Sequence, residues 1–156
     1  MAEPAAATQD GDMRPRRLTT AASPLEDAVS RVGDRWTLLV VNALLEGPRR
    51  FNDLLDQLDG LAPNILSKRL RHLEDEGVVV ATPYSDRPPR FDYRLTASGA
   101  ELAGALRLLA HWGASGSAES AAMHHGACGT PVDVRWYCPT CARTVDNDET
   151  DEVRFV

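Results

Sequence analysis

The sequence predicts a mainly α-helical fold with a small β-hairpin wing and a short C-terminal Cys/His hairpin, and three stretches carry that prediction. Residues 50–77 (RFNDLLDQLDGLAPNILSKRLRHLEDEG) read as two short amphipathic helices joined by a turn containing Gly and Pro. Two β-prone runs, 78–82 and 91–95, come directly behind them on either side of a Pro-rich loop. His and Cys then recur at metal-ligand spacing near the C-terminus. Helix, turn, helix and hairpin in that order describe a winged helix-turn-helix.

Residues 1–22 are rich in Ala, Pro and Thr with no apolar period, which predicts a disordered arm. Arg14, Arg16 and Arg17 there suit either DNA phosphates or a plain solvated tail. Order is expected to begin at Ser23-Pro24-Leu25-Glu26, where Ser23 as N-cap, Pro24 in the first turn and Glu26 form a capping box for a short helix to Val32. Gly33-Asp34 interrupts, and Asp34 can cap a second helix, Arg35 to Glu46. Its Trp36, Leu38, Leu39, Val40, Val41, Leu44 and Leu45 cover most of its surface, so it should be the buried centre of the fold. Gly47-Pro48 ends it. Arg49 and Arg50 stand just before the next helix, positioned to hold a phosphate with their charge and free backbone N–H groups, or to be ordinary surface residues.

In the next helix Phe51, Leu54, Leu55 and Leu58 share a face, and Asp59-Gly60 stops it. Over 63–75, Leu66, Leu70 and Leu73 form one apolar stripe. At about 100° per residue, Asn64, Lys68 and Arg71 fall opposite, with Ser67 and His72 flanking. Arg and Lys suit guanine edges and Asn suits adenine, so this face has the chemistry of a major-groove reader, although a solvated face looks similar in sequence. Arg69 lies nearer the stripe and is assigned to a salt bridge or a phosphate. The 83–90 loop (PYSDRPPR) holds Arg87 and Arg90 outward, where a minor groove or phosphate row would lie.

Thr96 should cap a long helix from Ala97 to about Trp112 with the stripe Leu102, Leu106, Leu109 and Trp112. The three-helix core already covers one face of the hairpin, so this helix is surplus. It is expected to bury against a second copy, making a homodimer with two reading heads. Residues 113–123 are small and form a linker.

Residues 124–145 carry His125-x2-Cys128 and Cys138-x2-Cys141, two knuckles whose four N/S ligands would make a closed structural zinc site, with Val132, Val134 and Trp136 alternating as a strand between them. His124 also has a permitted spacing. Two other readings stay open: a redox pair at Cys138 and Cys141, or thiols without a ligand. Four protein ligands would leave no open coordination position, which disfavours a catalytic metal.

The net charge of −6 is not that of a strong nonspecific nucleic-acid binder, but the acidic tail 146–156 supplies much of the excess, with five acids and one Arg. No apolar run is long enough to span a membrane and no export signal opens the chain, so a cytoplasmic protein is expected. Three cysteines, an odd number, argue against a disulfide framework. No Gly-rich phosphate loop, nucleophile–base pair or carboxylate pair stands at usable spacing, which argues against an enzyme.

The strings SPLEDAVSRVGDRWTLLVVNALLEGPRRFNDL, LAPNILSKRLRHLEDEGVV and PPRFDYRLTASG together resemble the HxlR family of winged-helix transcription regulators, relatives of the MarR regulators, from Ser23 to about Trp112. The resemblance implies a dimeric DNA binder acting at promoters, most often as a repressor. Asn64, Ser67, Lys68 and Arg71 would meet bases or adjacent phosphates, and Arg87 and Arg90 would be wing contacts. Many members carry a similar His/Cys-x2-Cys tail. Members also often have Cys just before the Pro-Leu-Glu of the first helix, which in some senses electrophiles or oxidants. Here Ser23 stands there and cannot form a disulfide, so thiol sensing would have to use the C-terminal cysteines. The competing reading is a protein-interaction module in which the winged helix has lost DNA binding and a zinc-stabilised tail docks a partner. A small-molecule effector in a cleft between the dimer helices is compatible with the sequence but not specified by it.

Overall fold

The computed structural model describes residues 23–114 and 123–145; the expected N-terminal arm, most of the linker and the acidic tail lie outside the described residues. The elements run α1 (Pro24–Val32), α2 (Arg35–Leu45), β1 (Arg49–Arg50), α3 (Phe51–Gln57), α4 (Pro63–Asp75), β2 (Val79–Asp86), β3 (Pro89–Leu95), α5 (Ala97–Ala114), β4 (Trp136–Cys138) and β5 (Arg143–Val145). Among the described residues no helix is long and apolar enough to cross a membrane.

α2 is the centre, but on one side only: Leu39 is exposed and Trp36, Leu38 and Leu45 are half-buried, so the all-round apolar pattern overstates its burial. Val40, Val41, Ala43 and Leu44 are buried together with the hydroxyl-bearing Thr37. Leu54 of α3, Leu66, Leu70 and Leu73 of α4, and Leu61, Val78 and Val79 close around them. Each fully buried Leu or Val is stabilised by about 1.5–3 kcal/mol relative to exposure, so the three α4 leucines are enough to fix which side of that helix faces in.

The caps read from the sequence form. Ser23 Oγ accepts from Glu26 N (3.2 Å) and Glu26 Oε2 accepts from Ser23 N (2.6 Å). Asp34 Oδ1 accepts from Trp36 N (3.0 Å) and Thr37 N (3.2 Å). Thr96 Oγ1 accepts from Gly99 N (3.0 Å) and donates to Gly77 O (2.7 Å), tying the start of α5 to the entry of β2. A Cβ on Gly99 would stand 2.1 Å from Val78 O, so the first turn of α5 meets that peptide closely enough to exclude any side chain.

Three expectations need correction. The wing is longer than two five-residue strands: β2 and β3 pair antiparallel out to Asp86 and Pro89, and the turn itself is Arg87-Pro88. Pro83 does not break the ladder because β2 is an edge strand and a bulge at Tyr84 absorbs the mismatch, and Pro89 is the first residue of β3, outside the stretch that pairs with β1. A third strand joins: β1 pairs with β3 (Arg49 opposite Tyr93, Arg50 opposite Asp92), giving the order β1-β3-β2. Finally, α5 is not wholly surplus. Leu102 and Leu106 pack against the core, while Leu109 and Trp112 stay 50% and 76% exposed.

α1 buries none of its residues, and Leu25 and Val29 are exposed. Only Val32 at its end packs against the core, and polar ties to the end of α4 add to that hold. Arg31 Nε pairs with Glu76 Oε2 at 2.7 Å, and His72 Nε2 lies 2.8 Å from Arg31 O. The Glu76 carboxylate, by hydrogen bond and charge, holds the Arg31 guanidinium above its ordinary pKa. His72 is therefore turned toward α1 rather than flanking the outer face of α4.

Candidate nucleic-acid interface

α4 begins at Pro63, which fixes the first-turn φ and has no N–H to leave unsatisfied, and its N-cap Ala62 offers no side-chain cap. With Leu66, Leu70 and Leu73 buried, Asn64, Ser67, Lys68 and Arg71 all stand on the exposed side, where the sequence puts them. Ser67 Oγ donates back to Pro63 O at 3.0 Å, which leaves its lone pairs facing solvent. Charge along the helix is polarised: Lys68, Arg69 and Arg71 occupy the middle, and Glu74, Asp75 and Glu76 the end. Anionic phosphates are thus favoured toward the N-terminal part, where the helix dipole also favours them.

Arg69 does not join the reading face. Its Nε lies 2.9 Å from Asp34 Oδ1 and its Nη2 donates to Asp34 Oδ2 at 3.0 Å. The carboxylate that caps α2 therefore also clamps α4. The sequence marks Arg69 for a salt bridge or phosphate and Asp34 for a cap, but not their pairing across 35 positions.

The two arginines ahead of α3 take different roles from a free phosphate cradle. Arg49 Nη2 pairs with Glu46 Oε2 at 2.7 Å, directing it back to the end of α2. Arg50 N donates to Asp53 Oδ2 (3.0 Å), so this backbone N–H is already engaged. Its guanidinium reaches across to the wing, 3.4 Å from Asp92 Oδ1 and 4.5 Å over the Tyr84 ring. Arg50 stays more than half exposed, so it remains able to meet a phosphate while bracing the wing. Tyr84 has no counterpart in the sequence reading; an aromatic inside a Pro-rich loop gives no sign that a bulge will turn it toward Arg50.

Arg87 and Arg90 are exposed at the wing tip, and Ser85 Oγ donates to Pro88 O (3.1 Å) to close the turn. Between the wing and the start of α3 lies a cleft of about 460 Å³ lined by Arg50, Asn52, Tyr84, Arg90, Phe91 and Tyr93. Partial burial, with a smaller contribution from Glu74, pushes the Tyr93 phenol above its usual pKa, so it stays neutral.

The Cys/His stretch forms two separate turns. His124 bridges to Pro131, and the turn within that bridge brings His125 Nδ1 to 3.3 Å from Cys128 Sγ. β4 and β5 form a hairpin whose turn holds Cys138 and Cys141. The Thr130 hydroxyl and amide, and then His125, hold the Cys128 thiol below its usual pKa; the amide and thiol of Cys141 and the amide of Thr140 do so for Cys138. Among the described residues no group of three or more His, Cys, Asp or Glu side chains is gathered around one point, so the two pairs stand apart. The expected strand over 132–136 is also shorter, starting only at Trp136.

A buried three-leucine stripe, an exposed Asn/Ser/Lys/Arg face and a cationic hairpin beside it define a winged helix-turn-helix protein. The model of the HxlR-like helix-turn-helix family matches residues 31–120, and the chain belongs to that family. An uncharacterised HTH-type transcriptional regulator of Mycobacterium tuberculosis (strain H37Rv) is 36% identical over 122 residues, covering 76% of this chain and 77% of the relative. Two solved structures are similar. The redox regulator HypR in its reduced form is 29% identical with a TM-score of 0.57, covering 60% of this chain and 92% of that one. A structure described as a MarR-family transcriptional regulator from Enterococcus faecalis V583 is 34% identical with a TM-score of 0.54, covering 64% and 92%. The family match stops before His124, so it does not extend to the two Cys/His turns.

Proposed function

We propose that the protein is a sequence-specific transcriptional regulator of the cytoplasm that binds double-stranded DNA as a homodimer and represses its targets. The observation that carries this is α4: three buried leucines fix its orientation, and Asn64, Ser67, Lys68 and Arg71 stand together on the exposed side. In this reading α4 enters the major groove, with Lys68 and Arg71 meeting guanine edges or phosphates and Asn64 and Ser67 meeting bases near the helix start. Arg87 and Arg90 meet the flanking minor groove or backbone, and Arg50 a phosphate at the wing's base. Arg49 contributes through its tie to Glu46 rather than by contact.

Dimerisation uses the apolar residues that the monomer leaves uncovered: Leu109 and Trp112 of α5 with Leu25 and Val29 of α1, the half-buried Leu102 and Leu106 backing them. α1 and the first half of α5 flank a groove of about 230 Å³ lined mostly by apolar atoms, including Val32, Val78, Leu102 and Ala105. A small apolar effector fits that groove, where it would alter how α1 and α5 meet the second copy. Replacing Trp112 and Leu109 together by Glu should convert a dimer to a monomer in sedimentation; a wild-type chain that is already monomeric at micromolar concentration refutes the dimer.

The function is tested by fluorescence anisotropy on duplex DNA from just upstream of the protein's own gene, run across a salt series beside a scrambled duplex. A preference of about 10³ or more with a steep salt slope is expected. Absence of binding to either duplex at low salt overturns the reading.

A further inference from the structure

Residues 123–145 have no buried apolar core of their own. Every one is exposed except Met123, Cys138 and Val145, which are only partly covered, and no side chain there is buried. A piece this small with no apolar core does not keep a defined shape by itself; units below about 40 residues need a disulfide, a metal or a partner. None of the three cysteines is joined in a disulfide.

The two turns are nevertheless built alike. Each sits at the tip of a hairpin: Met123 O and Thr130 O accept from Val132 N and His125 N (2.8 Å each) in the first, and β4 pairs with β5 in the second. Each presents two N/S donors separated by two residues. Each is followed at once by a left-handed residue, Gly129 at φ +69° after Cys128 and Ala142 at φ +53° after Cys141. Ala142 is the only non-glycine residue at positive φ among the described residues, a conformation costing roughly 1–2 kcal/mol. Ala142 closes the turn that carries Cys138 and Cys141. Cys128 Sγ also donates to Thr130 Oγ1 at 3.3 Å, which holds the sulfur within the first turn. The 3.3 Å between His125 Nδ1 and Cys128 Sγ is close to the roughly 3.5 Å spanned by a nitrogen and a sulfur on one tetrahedral zinc ion.

We propose that His125, Cys128, Cys138 and Cys141 bind one zinc ion per chain, which draws the two hairpin tips together and supplies the stability that residues 123–145 lack. The donor set is three thiolates and one imidazole, suited to a borderline-soft d¹⁰ divalent cation and leaving no open coordination position, so the ion is structural. His125, not His124, is assigned as the nitrogen ligand because its Nδ1 faces Cys128 Sγ at 3.3 Å. Binding displaces the thiol protons and forms four metal–ligand bonds, with no change in oxidation state. This assignment is independent of the DNA-binding reading.

The test begins with the unaltered full-length chain, purified without chelators, in which zinc and thiols are both counted. About one zinc per chain and three free thiols after denaturation are expected. Replacing the zinc with Co²⁺ should give tetrahedral d–d absorption and thiolate-to-cobalt charge transfer of the intensity of three thiolates. Cys138→Ser, Cys141→Ser and His125→Ala should each lose the stoichiometric metal, whereas His124→Ala should keep it. Circular dichroism of each variant should still report the intact helices of the winged domain. Zinc-free protein, a Cys138–Cys141 disulfide, or one zinc per two chains would each overturn the proposal, as would a His124→Ala variant that loses the metal while His125→Ala keeps it.

Discussion

Replacing Asp34 by asparagine and by alanine separates two interactions that one carboxylate makes. Oδ1 caps α2 through the amides of Trp36 and Thr37, and both oxygens face the Arg69 guanidinium on α4. Asparagine is as good an N-cap as aspartate, so Asp34→Asn keeps the cap and loses only the ion pair. Both side chains are more than 30% exposed, Arg69 at 33% and Asp34 at 39%, so solvent screens the pair and its loss should cost only about 0.2–1 kcal/mol. Asp34→Ala loses the cap as well, for about 0.5–2 kcal/mol more, giving a total of roughly 1–3 kcal/mol. Urea unfolding midpoints, at unchanged m, measure both. In a double-mutant cycle, Arg69→Met should cost less in the Asp34→Ala background than in the wild type, by the worth of the pair. The reasoning is refuted if Asp34→Asn is as damaging as Asp34→Ala, because the cap would then contribute nothing. It is equally refuted if Asp34→Ala leaves the midpoint unmoved.

Arg71→Ala should weaken operator binding by about 1–3 kcal/mol and relax specificity if Arg71 pairs with a guanine, or reduce the salt slope by about one if it meets a phosphate; anisotropy on operator and scrambled duplexes distinguishes these. Gly99→Ala forces a Cβ to within 2.1 Å of Val78 O and should destabilise by about 1–3 kcal/mol in urea unfolding, whereas Gly104→Ala, with nothing within 4 Å, should be neutral or gain up to about 1 kcal/mol. The backbone and then the hydroxyl of Ser23 hold the Glu26 carboxyl below its ordinary pKa. The capping box therefore contributes above the unfolded carboxylate value of about 4.3 and is lost as pH falls through the lower folded value. NMR titration of Glu26 should show the depressed pKa, and Ser23→Ala should raise it toward the ordinary value.

Local patterns made much of this molecule legible. The buried centre at α2, the limits of α4 and the caps at Ser23, Asp34 and Thr96 all follow from interactions within a few residues, which a one-dimensional pattern records. The outward set Asn64, Ser67, Lys68 and Arg71 was legible for the same reason: once Leu66, Leu70 and Leu73 are buried, helical periodicity fixes what faces away. The strings SPLEDAVSRVGDRW and ILSKRLRHLEDEG likewise point to the family that the match over residues 31–120 establishes.

What the sequence could not state was decided by long-range encounters. The pairing of Asp34 with Arg69, of Arg31 with Glu76, and of Arg50 with Asp92 and Tyr84 each joins residues more than 30 positions apart. No local pattern encodes which cation will find which anion, so the sequence leaves Arg49 and Arg50 open between phosphate ligands and ordinary surface residues, while the structure pairs them with Glu46 and Asp92. A two-residue strand such as β1 has too few residues to show a period; it exists because β3 offers an open edge there. The same holds for α5, whose stripe is continuous in sequence while the core reaches only as far as Leu106, leaving Leu109 and Trp112 uncovered. Sequence alone determined the helices, their caps and the face of α4, because each is settled within a turn or two of chain. Tertiary structure decided which charges are spent on holding the fold and which remain for DNA, because that depends on the distances between separate elements.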